Sequence, residues 1–124
     1  MLFVLVDDGL NLGRLGLTYP FTMNPLLEHR LADVAGICRQ HRVERLDAFG
    51  SVVREDFNPS SSDLDFIVRF APPHGSGYAD RYLDLAEALE RVFDRPVDLL
   101  TERSLRNPIL RRTIAADRRT IYGS

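Results

Sequence analysis

The stretch SDLDFIVRF, residues 62–70, reads as a β-strand that carries charge where an apolar strand has no use for it. Leu64, Phe66, Val68 and Phe70 alternate with Asp63, Asp65, Ile67 and Arg69. Side chains two apart on a strand share a face, so one face is wholly apolar and the other opens with two carboxylates. A buried carboxylate carries a desolvation cost, and two close carboxylates repel unless something positive lies between them. A hydrated Mg²⁺ meets that need, since it takes oxygen ligands, keeps waters and is typically held by one or two carboxylates together with substrate phosphates. The strand is therefore expected to be a stiff mount for metal ligands. The competing reading is that Asp63 and Asp65 only cap turns and face solvent.

Upstream, the same logic extends to FGS, residues 49–51. Val43 to Phe49 reads as a short strand broken by Gly50, and Ser51 opens a helical turn. Glycine at a strand end permits close backbone approach, and a helix start offers N–H groups to phosphate oxygens. Ser51 adds a hydroxyl donor, and Arg54 lies one turn further along, within reach of a phosphate tail. Downstream, PVDLL supplies a third carboxylate: Asp98 alternates with Val97 and Leu99 and projects away from them. If the strands at 63–70 and 96–101 are neighbours, three carboxylates on one sheet face can hold two cations about 3.5–4 Å apart, the arrangement used for in-line phosphoryl or nucleotidyl displacement.

The rest of the chain builds a scaffold around these segments. Asn24 is a suitable N-cap and Pro25 a suitable first helical residue, with Leu27, Leu31, Val34 and Cys38 at helical spacing, which predicts one helix ending near His41. APPHGSG, residues 71–77, is a loop, and its Gly75-Ser76 pair has no Asp-x-Asp after it. Placed directly after the aspartate-bearing strand, that loop is a secondary candidate to cover a nucleotide. Tyr82, Leu85, Ala86, Leu89, Val92 and Phe93 mark an amphipathic helix of about four turns. After a third strand over 96–101, Leu105, Ile109, Leu110, Thr113, Ile114 and Ile121 predict a final helical segment. The order αβ(α)βαβα predicts an α/β (α+β) fold, a small mixed β-sheet flanked by helices. Residues 1–22, with no sustained helical period and three glycines, are expected to be an N-terminal extension, with Met23 a candidate translation start, and residues 23–124 the domain proper.

Composition narrows the chemistry. A chain of 124 residues, 44% hydrophobic and 27% charged, supports a single compact core. The net charge of −2 gives no general field for holding a nucleic-acid backbone; Arg111-Arg112 and Arg118-Arg119 read as a solvated helix face, with an acidic partner surface as the remaining alternative. All 16 basic residues are arginine. Without lysine there is no Walker-type phosphate loop, no kinase ion pair and no Schiff-base chemistry. Cys38 stands alone, so an internal disulfide is excluded and the residue is expected in the core. His29, His41 and His74 lack partners at metal-ligand spacing, which argues against zinc. The apolar start is interrupted at Asp7-Asp8, too early for a membrane span or signal peptide, so a cytoplasmic protein is expected.

Phe49-Gly50-Ser51, Arg54, Ser62-Asp63-Leu64-Asp65 and Val97-Asp98-Leu99, with the surrounding elements over residues 24–124, resemble the minimal nucleotidyltransferases of the polymerase-beta-like superfamily. Two departures are visible: eleven residues separate Ser51 from Asp63 where ten are common, and Val53-Arg54-Glu55 replaces a small residue, arginine and glycine. The resemblance implies a palm-type fold and an antitoxin of the HEPN/MNT type. Such a protein would form a hetero-oligomer with a HEPN ribonuclease toxin and neutralise it by moving AMP from ATP to a toxin tyrosine. By position, Asp63, Asp65 and Asp98 would bind Mg²⁺, Asp98 would also help deprotonate the acceptor, and Gly50, Ser51 and Arg54 would hold the triphosphate. Two alternatives remain open: a non-catalytic module that inhibits its partner by occlusion, and nucleotidylation of a small molecule.

Overall fold

A computed structural model describes residues 23–54, 57–58 and 62–123. The expected extension over 1–22 and part of the loop before Asp63 lie outside the described residues.

The chain enters its domain through two helices, where the sequence spacing predicts one. Asn24 caps α1, Pro25–Glu28, by accepting from the Leu26 N–H at 2.9 Å, with Pro25 in the first turn. Arg30 then adopts φ −113° and ψ 7°, outside helical values, before α2, Leu31–Gln40. Leu27 of α1 and Val34 and Cys38 of α2 nevertheless enter one core. The apolar spacing therefore runs unbroken through a backbone break, which is why periodicity alone hides it. Cys38 is buried as expected, and burial pushes its thiol up to about 12.

Four strands form one mixed sheet in the order β3-β2-β1-β4. Strand β1, Val43–Phe49, leads through Gly50 into the short α3, Ser51–Arg54; β2 is Leu64–Phe70. Helix α4, Tyr78–Phe93, crosses over to β3, Val97–Thr101, which lies parallel to β2, a pairing that needs a crossover connection of this length. A 3₁₀ turn, Glu102–Ser104, then leads to α5, Pro108–Asp117, capped by the Asn107 side chain. The last element differs from expectation. The helix stops at Asp117, and Arg119–Gly123 is β4, antiparallel to β1. Ile121 sits seven residues after Ile114, a helical interval, but the open edge of β1 supplies ladder partners that a continued helix would leave unused.

The sheet has two unlike faces. Leu46, Ala48, Leu64, Phe66, Val68 and Leu99 point toward α2 and α4 and make the main core with Leu85, Leu89 and Phe93. On the other face Ile67 packs with Leu105 and Ile114, flanked by Phe49 and Leu100, beneath the 3₁₀ turn and α5. Beside that small cluster Asp47 is fully buried. Arg45 Nε donates to its Oδ1 at 2.9 Å and Arg118 Nε to its Oδ2 at 2.7 Å, while Arg118 Nη2 reaches Glu102 Oε2 at 2.7 Å. Burial by itself would lower the Arg118 guanidinium, but its bonds to Glu102 and Asp47 outweigh that and raise it. The network clasps the α5–β4 junction onto β1. Among the described residues no helix is long and apolar enough to cross a membrane.

Candidate active site

The carboxylates gather where β1, β2 and β3 meet their loops. Parallel register sets Asp65 directly beside Asp98. Adjacent strands lie about 4.8 Å apart and register partners point to one face, so the two side chains emerge together. Asp63 stands two residues before Asp65, just outside β2, and is exposed. Burial, then the charge of Asp98, then that of Asp63 push the Asp65 carboxyl up to about 6, with Arg54 acting in the opposite direction. The three groups therefore share one field, in which negative charge predominates. Among the described residues no three His, Cys, Asp or Glu side chains are assembled as a ready metal cage. A donor set of hard oxygen ligands that leaves coordination positions to phosphate and water suits Mg²⁺, which rarely has an all-protein cage. The residues present thus fit a divalent cation completed by its nucleotide.

Gly50 forms the floor. It takes φ +80°, and a Cβ placed there would lie 2.5 Å from Asp65 Oδ2. No side chain fits both the backbone angle and the space, so the Asp65 carboxylate rests against bare backbone. Phe49, just before Gly50, is the register partner of Asp65 across β1 and β2, which brings the Gly50-Ser51 turn to the carboxylates. The Val53 and Arg54 N–H groups close the turn onto the Gly50 carbonyl at 3.0 and 3.1 Å. The side chain of Arg54 is near enough to act on Asp65, and its Nη1 is held by Asp117 Oδ2 at 2.6 Å.

All six residues singled out in the sequence thus fall at one end of one sheet face. Residues that sequence reasoning missed support them. Asp117, 63 positions from Arg54, anchors the guanidinium. Tyr82 donates its hydroxyl to the Leu99 carbonyl and so braces the edge strand that carries Asp98. Burial, followed by the charges of Asp98 and Tyr78, raises the Tyr82 phenol. Tyr82 was legible only as an apolar helix position, because a side-chain bond to a strand carbonyl leaves no periodic signal. The Gly75-Ser76 loop follows the far end of β2, about five strand residues or roughly 17 Å from Asp65, and does not cover the site. The histidines serve locally: rings of His41 and His74 bond the Ile37 and Phe70 carbonyls at 2.8 Å.

A protein of Methanocaldococcus jannaschii, "Putative protein adenylyltransferase MJ1379", is 30% identical over 95 residues, spanning 70% of this chain and 93% of that protein. A solved structure of a "putative minimal nucleotidyltransferase" superposes with a TM-score of 0.64 at 29% identity, covering 82% of this chain and 98% of its own. A toxin–antitoxin crystal structure with AMP-PNP shares the fold at TM-score 0.58 and 21% identity, over 76% of this chain and 73% of that one. So does a complex of a tri-AMPylated Shewanella oneidensis HEPN toxin with its MNT antitoxin, at 0.55 and 19%, over 78% and 72%. Residues 31–121, a span that includes all six site residues, match the nucleotidyltransferase domain family, and the chain belongs to it.

Proposed function

We propose that this nucleotidyltransferase moves AMP from ATP to a tyrosine hydroxyl of a HEPN-type ribonuclease toxin and is the antitoxin of that pair. The observation that carries the reading is the side-by-side register of Asp65 and Asp98 over the glycine floor, with Asp63 in the same field. In this arrangement Gly50 and Ser51 hold the triphosphate with backbone and hydroxyl donors, and Arg54 neutralises charge on its tail. Asp63, Asp65 and Asp98 would hold Mg²⁺, which when bound polarises the phosphate oxygens and offsets the charge of the departing pyrophosphate. The acceptor oxygen attacks the α-phosphorus in line. Its bond to phosphorus forms as the bond from the α-phosphorus to the bridging oxygen breaks, and pyrophosphate leaves with that electron pair. Asp98, exposed at the edge strand, takes the hydroxyl proton and passes it to solvent. Support for a protein acceptor comes from the M. jannaschii relative's name and the toxin–antitoxin assemblies that share the fold. The domain is taken as residues 23–124, within which the family match over 31–121 falls, and its setting as cytoplasmic.

The test is intact-mass analysis of the HEPN partner after co-expression. The partner should gain one or more AMP units with the wild-type chain and none with Asp65→Asn. Neutralisation by a doubly substituted Asp63→Ala, Asp65→Ala chain, without any added mass, would instead establish inhibition by occlusion.

A further inference from the structure

Helix α5 is held by little of its own surface. Of Pro108–Asp117 only Ile114 is buried, while Ile109 is 72% and Leu110 43% exposed. A ten-residue helix is marginal in water, and proteins stabilise such helices by packing an apolar face. Here Ile114 packs inward on Ile67, and Ile109 and Leu110 remain outside. The sequence around that apolar pair is one-signed. Residues 103–116 contain Arg103, Arg106, Arg111 and Arg112 and no Asp or Glu. The acids at either end, Glu102 and Asp117, are engaged by Arg118 and Arg54. A chain of net charge −2 thus carries a positive stretch, Arg103 and Arg106 just before α5 and Arg111 and Arg112 on it, with an exposed apolar pair between them.

An exposed apolar pair beside arginines matches the anatomy of a protein interface, in which arginine is enriched. Single-stranded RNA, by contrast, is usually gripped by aromatic side chains among the basic ones, and residues 103–116 hold no aromatic residue. The position of α5 adds function to the patch. The helix lies on the carboxylate-bearing face of the sheet, and its last residue, Asp117, grips Arg54 at the site.

We propose that the outer face of α5, centred on Ile109 and Leu110, is the docking surface for the acceptor protein, which presents an apolar groove rimmed by Asp and Glu. This rests on the reading of the chain as a protein-modifying nucleotidyltransferase, and specifies where that protein sits. Docking there sets the acceptor on the same side of the sheet as Asp65 and Asp98.

The test uses the full chain and the HEPN partner, with binding measured by calorimetry in the absence of nucleotide. Two variants are compared with wild type: Ile109→Asp with Leu110→Asp, and Arg111→Glu with Arg112→Glu. Each should weaken partner binding by roughly tenfold or more, wild-type affinity should fall with added salt, and Mg²⁺-ATP binding should stay within about twofold. Unchanged partner binding in both variants overturns the docking surface even if AMP transfer proceeds. Normal docking without AMP transfer overturns the catalytic reading while supporting the surface. A patch that instead binds RNA, pairs two copies of the chain in light scattering, or binds the partner only after deletion of residues 1–22 also overturns it.

Discussion

The two faces of one sheet are built from the same four strands, yet they are organised for opposite ends. Toward α2 and α4, every inward position of β2 is a large apolar side chain, and the face closes into a continuous core. Toward α5, the same strand offers Asp65 and Ile67, and only a small cluster is covered. The neighbours Asp65 and Phe66 differ by one residue and by a half-turn of the pleat. Burial, and then the like charges of Asp98 and Asp63, raise the carboxyl of the one to about 6; the other is fully buried against Phe93, with ring centroids 5.8 Å apart. A strand anchored firmly on one side can tolerate electrostatic repulsion on the other, because repulsion that cannot move the backbone is relieved only by a proton or a cation.

The contrast is broken most forcefully at those neighbours. Phe66→Ala should lose about 3–5 kcal/mol of stability, read by denaturant unfolding, from lost burial and the cavity left behind. Asp65→Asn should lower AMP transfer by on the order of 10²–10³-fold or more while the fold persists. Exchanged outcomes, a folded and active Phe66→Ala chain or an unfolded Asp65→Asn chain, would contradict the division of labour. Gly50→Ala should have the next largest effect. The positive φ would cost on the order of 1–3 kcal/mol, and the new methyl would displace the Asp65 carboxylate, so stability and transfer should fall together.

A smaller effect sharpens the comparison through pH. Because the folded Asp65 carboxyl lies near 6 against an ordinary 3.8, the native state binds its proton more tightly than the unfolded chain. Its destabilising influence is absent below about pH 4, builds between there and about 6, and is complete above 6. In EDTA at pH 7.5, Asp65→Asn should therefore be more stable than wild type, by on the order of 1–2 kcal/mol after allowance for solvent screening. That advantage should vanish near pH 4. A constant difference across the range would show that the carboxylate field does not act on folding.

The site was readable where chemistry interrupts a period. Asp63 and Asp65 break an apolar strand, Asp98 breaks another, and Gly50 ends a third, each visible as a local exception. Asp47 is buried more deeply than any of these aspartates, but its meaning lies in Arg118, 71 residues away, and no local pattern connects them. The Arg54–Asp117 pair is hidden for the same reason. In the fold, the misread segments are those whose apolar spacing suits more than one backbone. Leu27 through Cys38 fits one helix or two, and Ile121 fits a helix continuing from Ile114 or a strand paired to β1. A hydrogen-bonding edge decides the second case, and it exists only after the sheet has formed.

On the proposed function, Asp65 and Asp98, fixed side by side by parallel register, create one cation-dependent triphosphate site. Calorimetric titration of the full chain with ATP, with and without Mg²⁺, tests it most directly. Wild type should bind ATP with Mg²⁺ at least about tenfold more tightly than without it, and Asp65→Asn and Asp98→Asn should each abolish that difference. Equal Mg²⁺ dependence in wild type and both variants would contradict the claim.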